Sequence, residues 1–165
     1  MSSKSPVISV IGSLNVDLVT RTPRVPVGGE TLTSESFNIG WGGKGANQAV
    51  ACARLSRTQQ QASIGENSDV EVRIVGAVGD DEFHAGFLKA LRTDGLNTDS
   101  VKILKGTKTG VAVIVVETGT GENRIMFCPG ANYDVEEKDL VDADASVALF
   151  QLELPLNVVC LSRLL

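Results

Sequence analysis

Two polar residues, Asn15 and Asp17, stand two apart in SLNVDLVT, between the apolar Leu14, Val16 and Leu18. That period-2 alternation predicts a strand with the amide and the carboxylate on one face. Further on, Gly40-Trp41-Gly42-Gly43-Lys44-Gly45 opens a segment that turns into a helix, with Asn47 one turn into it. Glycines let backbone N–H groups approach an oxygen-rich ligand closely, a helix N-terminus favours anionic or polar groups, and Lys44 adds a positive donor. Glu153 follows the apolar run 147–152, just past the carboxyl end of a predicted strand, where open α/β sheets bind ligands. The candidate binding residues are therefore Asn15, Asp17, Gly42, Gly43, Lys44, Asn47 and Glu153. Amides, carboxylates, an ammonium and free N–H groups converging on one place suit a polyhydroxylated molecule, because each hydroxyl wants both a donor and an acceptor. Taken singly, the same residues also fit ordinary roles: a turn Asx, a solvated lysine, a glutamate at a helix start.

Competing chemistries fare worse. The glycine run matches G-x-G-x-x-G, and Glu66 lies downstream of it as a dinucleotide site would want. Such a fingerprint follows its first hydrophobic strand directly, however, whereas a long stretch separates 7–11 from the run, and Glu66 sits in a polar loop. Lys44 is followed by Gly45 where a P-loop needs Ser or Thr. His84 is the one histidine, and Cys52, Cys128 and Cys160 are scattered with no C-x-x-C, so no tetrahedral zinc set can be assembled and no metal ligands are assigned. His84 is expected on a helix surface, and the three cysteines are expected reduced and buried. No nucleophile elbow accompanies them.

The elements that must position the candidates can be read from periodicity. VISVI at 7–11 is a continuous β-branched run, as in a buried parallel strand. A weak, Thr/Ser-rich strand is predicted near 31–39, then a helix with Ala46, Ala49, Val50 and Ala53 on one face. The Gln-rich stretch 57–69 reads as a surface loop or insertion. A strand at 70–78 leads to a helix carrying Phe83, Phe87, Leu88 and Leu91, capped by Gly95. Residues 101–104 form a strand, and 111–117 and 124–128 form a hairpin about TGTGEN. Asp134 with Glu137 marks a helix start, 146–152 is a strand, and Pro155 opens a final helix running to Leu165. Strand–helix alternation predicts an α/β fold, and the hairpins a separate antiparallel piece.

Size and charge set the frame. A chain of 165 residues is one domain's worth. With 42% hydrophobic and 21% charged residues it lies in the globular range, which excludes disordered and collagen-like classes. The net charge of −5 argues against nucleic acid or an anionic membrane as partner. Neither a leader peptide nor a membrane-length apolar stretch is evident, so a soluble, intracellular, cytoplasmic protein is expected.

Together, VISVIGSLNVDLV, GGETL, GGKGANQAVACARL, VGAVGDDEFHAGFLKALRTDGLNT, TGVAVIVVETGTGENRI, PGAN and FQLELP occur in an order that resembles the ribokinase group of the phosphofructokinase-B-like sugar kinases. The resemblance runs from about residue 7 to residue 157 and is broken mainly at 57–69. It implies the N-terminal half of a ribokinase-like α/β fold, with a mostly parallel sheet, flanking helices and a small antiparallel β-lid. The lid strands would come from about 14–39 and 111–128 of a single domain spanning 1–165. It implies ATP-dependent phosphorylation of D-ribose to ribose 5-phosphate, with magnesium, activation by potassium, and a homodimer formed through the lid. Carried over by motif position, Asn15 and Asp17 would bind ribose hydroxyls, as would Gly42, Gly43, Lys44 and Asn47. Glu153 would complete the network, and Phe127 would face the sugar from the lid.

One departure matters. The family's D-T-x-G-A-G-D signature, which carries the general base and the anion hole, does not occur in this sequence. Thr118-Gly119-Thr120-Gly121-Glu122 is nearest and reads as a hairpin turn. The sequence therefore looks like a truncated or alternatively ended product, inactive alone, with the ATP and metal contacts mostly missing and no catalytic residue assigned. The alternative is a non-catalytic sugar-binding or dimer-forming module.

Overall fold

The computed structural model describes residues 5–65, 68–139 and 144–161. Glu66 and the far end of the final helix lie outside them. A fully parallel sheet has the order β5-β4-β1-β8, built from Val101–Leu104 (β5), Glu71–Gly79 (β4), Val7–Ile11 (β1) and Val147–Phe150 (β8). β1 lies at its centre, pairing in parallel with β4 and β8. Strands covered on both faces are largely apolar, which is why 7–11 reads as a continuous run and β4 is apolar from Ile74 onward. Along β4, Val72, Ile74 and Val78 enter one core with Val10, Leu14, Val16, Phe87 and Leu91. Val75 and Ala77 enter the opposite core with Ile11, Ala131, Val135, Leu154 and Val159.

Helix α1 (Lys44–Leu55) covers the first core with the face predicted for it, burying Gly45, Ala46, Ala49 and Ala53. Its small residues set its closeness to the sheet. A Cβ on Gly45 would sit 2.4 Å from the Gly12 carbonyl carbon and 2.5 Å from Ser13 N. Helix α2 (Gln59–Ile64) occupies part of the stretch expected to be a loop. A capping box explains the difference: Gln61 N donates to Thr58 Oγ1 at 3.2 Å, and Thr58 N donates to Gln61 Oε1 at 2.9 Å. Helix α3 (His84–Thr93) closes as predicted at Gly95, which takes φ 90°. Gly95 N donates to Arg92 O and Leu96 N to Leu91 O, a Schellman closure that needs a left-handed residue.

The second sheet has the order β3-β2-β6-β7, from Ser36–Gly42 (β3), Asn15–Thr22 (β2), Gly110–Glu117 (β6) and Asn123–Cys128 (β7). Its outer pairings are antiparallel, including the predicted hairpin, but the central pair β2–β6 is parallel. The sheet expected to be antiparallel is thus mixed, because β6 arrives from the far side of the parallel sheet rather than by a turn from β2. Strand β3 begins at Ser36, not near 31, and continues to Gly42, so half the glycine run is strand paired with β2.

Two further expectations are corrected. Asp134 does not start a helix among the described residues; it closes the 3₁₀ turn Gly130–Tyr133, and Glu137–Asp139 is another such turn. The cysteines are free, but Cys128 and Cys160 are exposed and Cys52 half-buried. Cys128 lies on β7, whose residues are all exposed, so its apolar surroundings in sequence carry no burial. Helix α4 (Leu156–Leu161) begins after Pro155, as predicted. No described helix is long and apolar enough to cross a membrane.

Candidate functional site

Strand register assembles the site. In the second sheet Asp17 stands opposite Gly40 on β3 and Ala112 on β6, and Ala112 stands opposite Phe127 on β7. The next matching row on that face carries Ile114 opposite Ile125. Val16 and Leu18 point the other way, into the core. The sheet face that carries Asp17 overhangs the start of α1, and a cavity of about 360 Å³ lies between them. Asn15, Asp17, Gly43, Lys44 and Asn47 line it with Ala112, Ile114, Ile125, Phe127 and Glu153. Six of the seven candidate residues are therefore brought to one cavity, and Phe127 walls it as expected.

Gly42, the seventh, does not line the cavity but packs beneath Asp17. A Cβ at Gly42 would lie 2.2 Å from Asp17 Oδ2, so a side chain there would displace the carboxylate. Gly43 is the N-cap of α1 at φ 90°, and its backbone meets Ser13 O and Asn15 N so closely that a Cβ would fall 2.7 Å from each. Both strain and space require glycine there.

The electrostatics divide the two carboxylates. Asp17 has no partner among the described residues; burial, and then the charge of Glu153, raise its pKa above the ordinary 3.8. Burial also acts on Glu153, but hydrogen bonds from Lys44 and Ser13 outweigh it and hold its pKa below 4.5. Ser13 Oγ donates to Glu153 Oε2 at 2.6 Å, Lys44 N donates to the same oxygen at 3.2 Å, and Lys44 Nζ forms an ion pair with Oε1.

The free helix N-terminus read from the sequence is corrected by these contacts. The Lys44 N–H is taken by Glu153, the Gly45 N–H by Ser13 Oγ at 3.3 Å, and the Ala46 N–H by Ser13 O at 3.0 Å. The protein satisfies its own orphan donors, so a ligand meets side chains rather than the helix end. The Asp17 carboxylate, the exposed Asn47 amide and the exposed Lys44 ammonium face the cavity.

Three residues of the site carried no functional reading in the sequence: Ser13, Asn132 and Gln151. Ser13 bridges Glu153 to α1, and Gln151 Oε1 accepts from Ser13 N at 3.4 Å. Asn132 is fully buried and bonded to Leu14 and Asn15. Its one trace in the sequence is the PGAN string, whose chemistry is not apparent without the fold.

A parallel α/β layer carries a small β-sheet over it, with an acceptor- and donor-lined cavity suited to a polyhydroxylated ligand beneath that sheet. Comparison with known proteins agrees. The chain belongs to the pfkB family of carbohydrate kinases, whose model matches residues 6–161. It is 45% identical over 159 residues to the ribokinase of Schizosaccharomyces pombe, which covers 92% of this chain and 47% of that protein. The deoxyribokinase of Salmonella typhimurium is 38% identical over 157 residues, covering 92% and 47%. Among solved structures, ribokinase from Cryptococcus neoformans in complex with ADP superposes with a TM-score of 0.73 at 35% identity, over 94% of this chain and 43% of that one. Ribokinase from Arabidopsis thaliana complexed with ribose and ATP gives 0.76 at 27% identity, over 96% and 48%. The chain spans about half the length of the curated relatives it matches.

Proposed function

We propose that this chain is the sugar-binding part of an ATP-dependent ribose kinase. The observation that carries the reading is the convergence of Asn15, Asp17, Lys44 and Asn47 on one cavity closed by Phe127 and Ile125. An ionised Asp17 accepts hydroxyl protons, Asn47 can donate and accept, Lys44 donates, and the apolar wall suits the C–H face of a sugar. The relatives named ribokinase, and the structure holding ribose and ATP, support ribose and ATP as the two substrates. In that role these residues bind and orient the sugar beneath the small sheet, while Ser13, Lys44 and Glu153 fix the start of α1 against it. Phosphoryl transfer also needs a base at the attacking hydroxyl and stabilisation of the transferred charge. The signature that supplies them in the family is not in this sequence. Magnesium and potassium are implied by the family, but among the described residues no three His, Cys, Asp or Glu side chains cluster as a metal site.

The exposed Phe37, Ile39 and Met126, on the face of the small sheet opposite the cavity, favour a second reading alongside the first, a dimer formed through this sheet. One pair of experiments tests the proposal. Calorimetric titration of the 165-residue chain is expected to show ribose binding, with 2-deoxyribose weaker, while a coupled ADP-release assay with ribose and ATP shows no turnover. Absence of ribose binding, or equal binding of an unrelated polyol, overturns the reading. Sedimentation of the chain decides the dimer: a monomer across the micromolar range rules it out.

A further inference from the structure

Asn132 is fully buried, yet its amide makes four contacts at the edge of the cavity. Its Oδ1 accepts from Leu14 N at 2.9 Å. Its Nδ2 donates to Leu14 O at 3.0 Å and lies 3.0 Å from Pro129 O and 2.8 Å from Asn15 Oδ1. Main-chain groups cannot exchange roles: Leu14 N only donates, and Leu14 O and Pro129 O only accept. The orientation of Asn132 is therefore fixed by the backbone, and the atom of Asn15 that meets its NH₂ must be an acceptor. Gly110 makes room for this junction, since a Cβ there would fall 2.3 Å from both Asn132 Nδ2 and Asn15 Oδ1.

The consequence falls on Asn15. With its Oδ1 held by Asn132, its Nδ2 is the half of the amide left for the cavity, and nothing among the described residues pairs with it. Two residues along the same strand face, Asp17 offers only acceptor oxygens when ionised. We infer that Asn132 is a positioning residue that sets the amide of Asn15 so that the site presents a donor at Asn15 beside an acceptor at Asp17. A hydroxyl lying between them accepts from one and donates to the other, whereas a flipped Asn15 would offer two acceptors to a single proton. The pattern selects hydroxyls over keto or ether oxygens at that subsite, and it rests on the sugar-binding reading above.

The test has an arm that needs no sugar. In the 165-residue chain labelled with ¹⁵N, the side-chain NH₂ of Asn132 is expected to be protected from solvent exchange and that of Asn15 to exchange freely. Protection of the Asn15 NH₂ without ligand overturns the assignment, even if ribose does not bind. In the second arm ribose should shift the Asn15 NH₂ resonances and leave those of Asn132 in place. Asn132→Asp, which keeps shape but replaces the donor, should weaken ribose binding at least tenfold. Adding Asn15→Ala to that variant should weaken binding by less than about twofold more, although Asn15→Ala alone costs tenfold or more. Independent, multiplying losses would mean that Asn132 does not act through Asn15. If Asn132→Asp fails to fold, the exchange and shift measurements on the unaltered chain decide alone. Absence of any ribose binding counts against the sugar reading, and exchange then judges the orientation separately.

Discussion

At the scale of single residues, the site works by giving its two carboxylates opposite environments. Glu153 is held ionised by Lys44 and Ser13, so its contribution to stability is present above its ordinary pKa and is lost as pH falls through the lowered one. Asp17 behaves in reverse. Its folded pKa is raised, so the folded state holds a proton the unfolded chain releases, and its contribution declines as pH rises through that interval. For binding, protonation of Asp17 replaces an acceptor with a donor. Ribose affinity is therefore expected to fall on acidification at a pH above that at which a free aspartate titrates. Glu153→Gln removes the neighbouring negative charge and should move the Asp17 titration downward, followed by NMR of its carboxyl carbon. An unchanged or raised Asp17 pKa in that variant would show that the two carboxylates are not coupled. Burial, the larger cause, should keep Asp17 above its ordinary value even then.

At the scale of elements, closeness between backbones decides more than side-chain identity. The start of α1 sits on the loop after β1 because Gly45 carries no Cβ, and because Ser13 bonds to the helix N–H groups. Gly45→Ala places a methyl against backbone that cannot retreat, and is expected to destabilise by about 3 kcal/mol, the upper part of the range for overpacking. In a chain of this size that lowers Tm by about 6–12 °C. Gly28→Ala, with nothing within 4 Å of its Cβ, should leave Tm within about 2 °C. Comparable melting of the two variants would contradict this account of the helix start. Such approaches explain what was legible in the sequence. Strands β1 and β4, the apolar face of α1 and the hairpin β6–β7 are written in local periodicity. The parallel β2–β6 pairing joins residues far apart in sequence, and periodicity carries no trace of which strands become neighbours. The capping box that makes α2 helical was present as Thr58 and Gln61, masked by the polar, Gln-rich composition around it. Asn15, Asp17, Lys44, Asn47 and Glu153 were visible as chemistry-bearing types at suggestive spacings. Ser13 and Asn132 were not, because a serine and an asparagine in loops gain meaning only from what the fold sets beside them.

At the scale of the whole molecule, the start of α1 and Glu153, just past the end of β8, supply the floor and a small mixed sheet the roof of one cavity. β2 links the two sheets, since it leaves β1 through Gly12, Ser13 and Leu14 and immediately presents Asn15 and Asp17. On the proposed reading, this cavity holds a sugar through Asp17. A carboxylate shielded from water makes charge-assisted hydrogen bonds to hydroxyls, each contributing about 1.5–3 kcal/mol. Asp17→Asn keeps the shape and replaces one acceptor with a donor, leaving a hydroxyl mispaired under the small sheet. Losing about 1.4 kcal/mol already corresponds to a tenfold change in affinity. The direct measurement is calorimetric titration of ribose into the 165-residue chain and into its Asp17→Asn variant, both checked for equal melting temperature. A dissociation constant at least tenfold weaker in the variant is the predicted result; equal dissociation constants would contradict the assignment of Asp17 to a sugar site.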